Sequence, residues 1–408
     1  MSEGPLAGVK VIELTLWMLG PLAGAMLGDL GADVVKIENP RRPDSGRNLV
    51  SNAGFDMTLE DGRSLMFEAM NRNKRGMALD LSTAAGKAVL LELVRDADVV
   101  LENFRPGALD RLGVGYERLK EVNPKLIYAS ASGHGFEGPD AGRPALDPVG
   151  QARSGLMWTH GGPQDGPNWH SLALADSMGA NMLAYGVVAA LAARDRTGVG
   201  EKVEVSHMMG SIWLSYWAVA ASMLQGIAEW PRFDRHDAAN PLFNQYRCGD
   251  GEWIFIACVN VERDFPSVCR ALDLPGLLDD PRFAIAEGRF AERRALIAEL
   301  QKRFEEEPRS VWLQRLSTEP DLIFDPVQHI RDLPNDPAVI ANGYLTEYEH
   351  PTLGRKLLPS HPVAFRNHPA KIERPAPELG EHTSEVLKER LGYDDERIAQ
   401  MMIDGVIA

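Results

Sequence analysis

The chain has few cysteines and a shortage of basic side chains. Its 408 residues include three cysteines, Cys248, Cys258 and Cys269, whose odd number and spacing argue against a disulfide framework and a metal-ligand motif. The formal net charge of -15 argues against sequence-independent binding of nucleic acid and against attraction to an anionic membrane. A polyanionic small molecule stays possible, because it needs only a local basic pocket.

Signals for export and for membrane insertion are also missing. The first five residues are short and polar and show no signal-peptide pattern, and we find no apolar run long enough to span a bilayer. With 44% hydrophobic residues the chain is typical of a folded protein, and its length suits about two to three domains. We therefore expect a cytoplasmic protein that makes no use of a membrane.

The first 131 residues alternate between strand and helix patterns. This alternation predicts an α/β fold with an open, parallel, Rossmann-like sheet and right-handed crossovers. The predicted strands span residues 8–14, 32–38, 75–81, 98–103 and 126–131, and the predicted helices span residues 20–31, 83–96 and 108–112. The turn after the first strand, residues 15–20, is Thr-Leu-Trp-Met-Leu-Gly, which lacks the glycines of a dinucleotide site. A nicotinamide or flavin dinucleotide is therefore not expected there.

The middle of the chain has a different character. Residues 226–350 predict a smaller α+β domain with a strand at 252–258 and helices at 265–272 and 291–307. Residues 318–336 show no clear pattern and are expected to form a loop, and the proline-rich residues 359–377 predict an extended linker. Two more helices are expected at 385–390 and 395–402.

Asp176 opens a long stretch of small and apolar residues that ends with Arg194, Arg196 and Gly198. The pattern predicts a buried helix with Asp176 as its N-cap and cations in its last turn. The positive end of the helix dipole stabilises an ionised carboxylate, and such a carboxylate facing a cavity is a usable nucleophile. Spacing alone favours a plain helix cap, because aspartate is a preferred cap residue, so the case for a nucleophile must come from the rest of the chain.

Several ordered blocks resemble the class III CoA-transferases, the family of the formyl-CoA and carnitine CoA-transferases. The blocks are residues 20–38, Asn73-Lys74-Arg75, and residues 98–113, 198–205 and 380–393. The resemblance is strong over residues 5–215 and 375–408 and weak over 230–370. Several blocks in order are far more specific than any single motif.

The resemblance implies a fold, an assembly and an activity. It implies a large domain built from both chain ends, residues 1–215 with 360–408, a small domain at 226–350, linkers at 216–225 and 351–377, and an interlocked dimer of ring-like subunits. It implies that Asp176 is a nucleophile that moves coenzyme A from an acyl-CoA to a carboxylic acid through an aspartyl anhydride and an aspartyl-CoA thioester. No metal and no permanently bound cofactor is expected, and coenzyme A enters as substrate. The partner subunit is expected to be a second copy of the chain, with a homologous subunit as the alternative.

The resemblance also implies residues that contact coenzyme A. Arg111 matches an arginine beside the nucleotide, where a guanidinium suits phosphate, and Asn103, Phe104 and Ala108 match positions around the adenine. The remaining expected contacts are Arg105, Lys74, Arg75, Leu79, Ser82, Arg42 and Asp147. For Lys74, Arg75 and Arg105 a solvated surface role fits the sequence equally well.

Departures from the family pattern bear on the substrate. Met18 stands where the formyl-CoA enzyme has a glutamine, and with Trp17 and Leu19 it predicts an apolar pocket for an acid bulkier than formate or oxalate. The related α-methylacyl-CoA racemases use a histidine where this chain has Ala145, so an isomerase would lack one of its bases. His134, His160, His170 and His207 stand elsewhere and are interpreted as ordinary loop or polar histidines. A non-catalytic acyl-CoA-binding subunit is the third hypothesis, and the retained Asp176 argues against it.

Overall fold

The computed structural model describes residues 4–408, which form two compact units. Unit 1 runs from the start of the described chain to Thr159, from Asn168 to Trp230 and from Asn342 to Ala408. Unit 2 comprises His160–Pro167 and Pro231–Ala341. The return to unit 1 thus lies near residue 341, ahead of the end of the predicted range 226–350.

A six-stranded parallel sheet forms the centre of unit 1. The strands of this unit before residue 230 are β1 (Lys10–Leu14), β2 (Asp33–Glu38), β3 (Ser51–Asn52), β4 (Phe55–Asp56), β5 (Lys74–Ala78), β6 (Val99–Glu102), β7 (Ile127–Ser132) and β8 (Lys202–Ser206). The sheet has the order β5-β2-β1-β6-β7-β8 and every neighbouring pair is parallel, while β3 and β4 form a separate hairpin. Counted along the chain, the six strands follow the 3-2-1-4-5-6 order of the doubly wound fold. The predicted α/β class with a parallel sheet is confirmed.

Helices cover both faces of this sheet. They are α1 (Leu19–Asp29), α2 (Leu65–Met70), α3 (Ala84–Val94), α4 (Ala108–Leu112), α5 (Tyr116–Val122), α6 (Asp147–Arg153), α7 (Leu174–Thr197), α8 (His207–Leu214) and α9 (Tyr216–Gln225). Successive strand residues enter opposite cores, so that Ile12 and Val35 pack on one face while Val11 and Val34 pack on the other. Local signals place several helix starts, as at α3, where the Thr83 hydroxyl accepts a hydrogen bond from the Gly86 amide.

Among the described residues, α7 is the one helix that is long enough and apolar enough to cross a membrane on length and composition alone. The expectation that no apolar stretch reaches this length is therefore wrong for α7. Its residues Leu183 and Val187 are fully buried in the core that also contains Ile127 of the sheet. Length and composition are weak evidence for a membrane span, since core helices of globular proteins pass the same test.

Unit 2 combines an antiparallel sheet with short helices. Its elements are β9 (Phe243–Arg247), β10 (Trp253–Ala257), α10 (Val261–Ala271), α11 (Gly276–Asp279), α12 (Ala286–Ala291), α13 (Arg293–Phe304), α14 (Arg309–Leu316), β11 (Phe324–Val327) and α15 (Pro337–Asn342). The prediction that residues 318–336 form a plain loop is wrong, because β11 pairs with β10 and a 3-10 helix follows at Ile330–Asn335. The three cysteine thiols are all buried in this unit's core.

The C-terminal segment returns to unit 1. It contains the hairpin β12 (Leu345–His350) and β13 (Gly354–Pro359) and the helices α16 (Thr383–Leu391) and α17 (Asp395–Ile403). It packs along the outer strand β5, where the Ala78 amide donates to the Thr383 hydroxyl and the Asp80 amide donates to the Val406 carbonyl. Val386 and Leu387 of α16 complete the core on that face of the sheet.

Candidate active site

A cavity of about 960 Å³ opens at the carboxyl ends of β1, β6 and β7. Its wall includes Leu16–Leu19 after β1, Asn103–Pro106 after β6 and Ala131–Gly133 at the end of β7. Strands β1 and β6 are neighbours in the sheet but lead to helices on opposite sides, which makes their ends the switch point of the fold. Doubly wound proteins bind ligands at this place, because diverging loops leave a crevice there.

The turn between β1 and α1 is held from two sides. The side chain of Asn103 accepts a hydrogen bond from the Leu16 amide at 2.8 Å and donates one to the Leu16 carbonyl at 2.7 Å. Next to it, the Trp17 amide donates to the Asp44 carboxylate at 3.0 Å. Trp17 has a φ of 67°, an uncommon conformation for a bulky residue, and it persists because these contacts determine the turn. Asn103 therefore positions the cavity wall.

A buried ion cluster, Glu13, Lys36, Asp44 and Lys74, lies beneath this turn. The Lys36 ammonium is 3.2 Å from Glu13 and 3.0 Å from Asp44, the Lys74 ammonium is 2.9 Å from Glu13, and none of these lysine side chains is exposed. Burial lowers the pKa of Lys74 to about 7, whereas for Lys36 the nearby carboxylates outweigh burial and raise the pKa. Because Lys36 also donates to the Thr15 carbonyl, the cluster anchors the turn from below.

The N-terminus of α7 faces the same cavity. Asp176 is the third residue of this helix, and Ala173 occupies the cap position without a side-chain hydrogen bond. The prediction that Asp176 is the N-cap is therefore wrong. Asp147, which lies on α6, caps the helix instead. Its carboxylate accepts hydrogen bonds from the backbone amides of Ala175 at 2.6 Å and Asp176 at 3.2 Å. The Asp176 side chain therefore makes no capping hydrogen bond to its own helix.

The Asp176 carboxylate has one hydrogen-bond partner among residues 4–408. Its Oδ1 lies 2.9 Å from Nε2 of His207, and the two side chains are 15% and 11% exposed respectively. Within the described chain, Oδ2 accepts no hydrogen bond. His207 is the first residue of α8 and follows β8 directly, so it too comes from the carboxyl edge of the sheet. On the cavity wall, Oδ1 of Asp176 is therefore hydrogen-bonded to His207, and Oδ2 is available to a substrate.

Comparisons with known proteins agree over almost the whole chain. The profile of CoA-transferase family III matches residues 6–383. The human succinyl-CoA:glutarate CoA-transferase is 34% identical over 99% of this chain and 90% of its own length. The acetyl-CoA:oxalate CoA-transferase of Acetobacter aceti is 35% identical over 95% of this chain and 96% of its own length.

The chain belongs to CoA-transferase family III. A crystal structure of a CAIB/BAIF family protein from Brucella suis superposes with a TM-score of 0.83 and 31% identity, covering 96% of this chain and 100% of the other. The resemblance stated from the sequence blocks is confirmed, as is the assignment of the chain as a CoA-transferase. Acyl-CoA thioesters as substrates follow from membership of the family.

In this family III chain the cavity gathers about half of the residues expected from sequence. Those on its wall are Asp176, Asp147, Asn103, Phe104, Arg105, Trp17, Met18 and Leu19. Arg111 and Ala108 lie just beyond, on α4, and the Arg111 guanidinium lies close to Gly107 at the end of the loop that forms the wall. Arg42 lies in the exposed turn after β2, where its amide donates to Asn39.

Four expected contacts with coenzyme A lie away from the cavity wall. Lys74 belongs to the buried ion cluster, and Arg75 is paired with Asp33, Glu385 and Glu389. Leu79 is part of the core beneath the sheet, and the Ser82 hydroxyl donates to Asp80. A phosphate contact by Lys74 or Arg75 would require either side chain to leave its carboxylate partners.

Sequence reasoning missed His207, which it interpreted as an ordinary polar histidine. The sequence signal is the alternation Lys-Val-Glu-Val-Ser over residues 202–206, which is typical of a strand and forms β8. A parallel strand at that place would have put residue 207 on the same edge of the sheet as Asn103 and the turn after β1.

Proposed function

We propose that the chain transfers coenzyme A from an acyl-CoA to a carboxylic acid through covalent intermediates on Asp176. The observation that carries the proposal is the position of Asp176. Its carboxylate lies in the first turn of α7, on the wall of the switch-point cavity, with Oδ2 without a partner in the described chain. Oδ2 is therefore the oxygen of Asp176 that is free to attack the thioester carbonyl.

The proposed cycle balances without a proton or an electron from outside. Oδ2 attacks the thioester carbonyl of the donor, the C–S bond breaks, and an aspartyl anhydride and the thiolate of coenzyme A result. The thiolate attacks the aspartyl carbonyl, which expels the donor acid and leaves an aspartyl-CoA thioester. The acceptor carboxylate then repeats the two steps in reverse order and leaves as the new acyl-CoA. Each step exchanges one acyl bond for another, so the thioester free energy is conserved.

The N-terminus of α7 supports this chemistry electrostatically. Negative charge resides on Asp176 before the reaction and returns to it after each cycle, and the positive end of a 24-residue helix stabilises that charge. The Asp147 carboxylate holds the first-turn amides of α7, which keeps the backbone of Asp176 in one position. A preorganised nucleophile needs little rearrangement at the moment of attack.

For coenzyme A we propose a path along the loop between β6 and α4. Arg105 on the cavity wall and Arg111 beside Gly107 supply cations within one short segment. Guanidinium groups bind phosphate oxygens through paired hydrogen bonds, and Phe104 offers an aromatic side chain to the adenine. The acyl end would then extend towards Asp176.

For the acid we propose a side chain bulkier than that of formate or oxalate. The cavity wall contains Trp17, Met18, Leu19, Met66, Leu146, Val149 and Trp169. Apolar walls of this kind exclude water and favour an acid that buries hydrocarbon or aromatic surface. We expect such an acid to be a better acceptor than oxalate in a competition assay.

The contact between His207 and Asp176 gives the isomerase hypothesis one observation in its favour, since racemases of the related branch use a histidine and an aspartate. Two bases that move an α-proton must flank the substrate carbon from opposite sides. Here the two side chains are joined directly at 2.9 Å, and Ala145 on the cavity wall carries no ionisable group. The transfer reaction therefore remains the function that the site supports best.

We propose that the chain works as a homodimer. Helix α9 has no buried residue, and Trp217 and Leu224 on it are 74% and 85% exposed. Trp213 and Tyr216 extend the same apolar surface, and monomers rarely expose a patch of this kind. A second copy of the chain is the expected cover.

The decisive experiment traps the intermediate. The protein is incubated with succinyl-CoA or acetyl-CoA, treated with hydroxylamine or borohydride, and digested so that mass spectrometry maps the modified peptide. We expect modification at Asp176, and we expect Asp176→Ala to lose the modification and at least about 10³-fold in turnover. Asp195→Ala, on the exposed end of the same helix, is the matched control and should leave both unchanged.

Other results point elsewhere. Exchange of the α-proton of the acyl-CoA without a covalent adduct would support the isomerase. Binding without adduct, exchange or transfer would support a non-catalytic subunit. Transfer by Asp176→Ala at the wild-type rate would refute the proposed role of Asp176.

A further inference from the structure

Among the described residues, the side chain that hydrogen-bonds to the carboxylate of Asp176 is His207. Its Nε2 lies 2.9 Å from Oδ1 of Asp176, and its Nδ1 is buried without a hydrogen-bond partner among the described residues. The close approach of α6 and α8 constrains the backbone and the Cβ of His207, because a Cβ built on Gly150 would come within 2.6 Å of the His207 Cβ. The imidazole therefore extends from a fixed point of the fold towards the carboxylate.

The hydrogen-bonding inventory of the two groups determines where the proton lies. An ionised carboxylate accepts hydrogen bonds and cannot donate them, so Nε2 must carry the proton of this contact. Nε2 is therefore the donor and Oδ1 of Asp176 the acceptor of this hydrogen bond.

The proposed cycle puts charge on the oxygen that His207 contacts. When the thiolate attacks the aspartyl anhydride, the bridging oxygen leaves with the donor acid and the carbonyl oxygen becomes the oxyanion. The same oxygen carries the charge when the acceptor attacks the aspartyl-CoA thioester. Because Oδ2 is the unpartnered oxygen, Oδ1 is the one that stays as the carbonyl.

We infer that His207 is a catalytic residue of the transfer reaction. Its Nε2–H holds Oδ1 so that Oδ2 attacks, and it stabilises the negative charge on Oδ1 in both steps at the aspartyl carbonyl. This inference rests on the proposed function. No step needs the proton to leave Nε2, so the role is that of a fixed oxyanion donor and requires no transfer of a proton.

The test compares three variants in single-turnover reactions with succinyl-CoA or acetyl-CoA and no acceptor. His207→Gln can place an amide N–H at the position of Nε2, His207→Asn places it at the position of Nδ1, and His207→Leu has no donor. The appearance of the aspartyl-CoA adduct is followed by intact mass after rapid quenching. Thermal melting checks that each variant folds.

We expect His207→Leu and His207→Asn to form the CoA adduct about 10²-fold to 10³-fold more slowly than wild type. His207→Gln should stay within about 10-fold of wild type, since it keeps the donor. The donor concentration that gives half of the maximal single-turnover rate should change by less than about 3-fold in all three, because the contact acts on charge that develops after binding. The Asp176 hydroxamate should still form in His207→Leu, since charge in the first attack lies on the donor carbonyl.

Three outcomes would overturn the inference while the wild-type adduct stands. These are wild-type rates in His207→Leu, a His207→Gln variant as slow as His207→Leu, and equal rescue by glutamine and asparagine. If His207→Leu fails to fold, the glutamine and asparagine pair decides, because the two differ by one methylene. Absence of any Asp176 adduct in the wild type would instead refute the proposed function itself.

Discussion

At the scale of single residues, three carboxylates near the cavity have different surroundings and different roles. Asp176 accepts one hydrogen bond from His207, and Asp147 accepts backbone amides of α7. Glu102, at the carboxyl end of β6, is buried beside the Ser130 hydroxyl and the Phe104 amide. Burial raises the pKa of Glu102 to about 7, although those hydrogen bonds oppose the shift.

The raised pKa of Glu102 predicts a pH-dependent stability. Between pH 4.5 and about 7 the folded chain keeps a proton that the unfolded chain has released, so this group lowers the free energy of unfolding as the pH rises through that window. We expect Glu102→Gln to match wild type at pH 5 and to be more stable at pH 8, by on the order of 3 kcal/mol. Urea unfolding at the two pH values measures the difference.

The matched control for this prediction is Glu117→Gln, at an exposed glutamate of α5. It should shift the free energy of unfolding by the same small amount at both pH values. A Glu102→Gln variant that follows the wild-type pH dependence would mean that the carboxyl group is ionised in the folded protein.

Sequence reasoning found some site residues and misjudged others for a clear reason. Asp176 stood out because a helix start is expected there and because the family resemblance implies a nucleophilic aspartate at this position. Lys74 was expected near the phosphates because of the family resemblance, with a solvated loop charge as the alternative, yet β5 places it in the buried ion cluster under the turn after β1. The sequence signal for His207 was the strand pattern of the residues just before it, and its contact with Asp176 follows from the approach of α8 to α7.

At the scale of elements, the start of α7 depends on a residue from another helix. Asp147 begins α6, and Gln151 one turn later donates to its Oδ1 at 2.5 Å while also donating to the His170 carbonyl. The pair thus joins α6, the segment before α7 and the α7 amides. The backbone position of Asp176 therefore depends on the contacts of Asp147 and Gln151.

We expect Asp147→Ala to lower both stability and activity. The amides of Ala175 and Asp176 would lose their acceptor, which costs about 1–2 kcal/mol in the free energy of unfolding and loosens the first turn of α7. Asp147→Asn keeps an acceptor oxygen and should recover most of the stability. Denaturant unfolding and kcat measured on the same preparations check the two effects, and a stable, fully active Asp147→Ala would contradict this account of the helix start.

Element prediction succeeded where hydrophobic pattern and cap residues agree. The strands β1 and β2 and the helix α3 lie within a few residues of their predicted bounds, because short runs rich in β-branched residues and the Thr83 cap are local signals. Strand β11 was missed, since its four residues Phe-Asp-Pro-Val have too short a pattern and become a strand only by pairing with β10.

At the scale of the whole molecule, the exposed apolar surface of α8 and α9 is the basis of the proposed homodimer. We expect Trp217→Glu combined with Leu224→Glu to convert a dimer into a monomer, because two charges cannot be buried in an apolar interface without partners. Sedimentation velocity of wild type and variant at equal concentration measures the change.

The control for this experiment is Val199→Glu, which changes an exposed apolar residue outside α8 and α9. It should leave the sedimentation coefficient unchanged. A wild-type protein that sediments as a monomer would refute the proposed homodimer.

What the sequence alone determined is local and repetitive. Short apolar runs between glycines and loops specify strands, longer stretches of small and apolar residues specify helices, and the ordered blocks identify the family. These signals act between residues a few positions apart, where the backbone geometry is known in advance.

The tertiary structure alone decided which distant residues meet. The strand order brings Asn103 to the Leu16 backbone across 87 positions, and the approach of α8 to α7 brings His207 to Asp176 across 31. Such contacts depend on how strands order and helices cross, and these follow from the packing of the whole core, which no short window of sequence encodes.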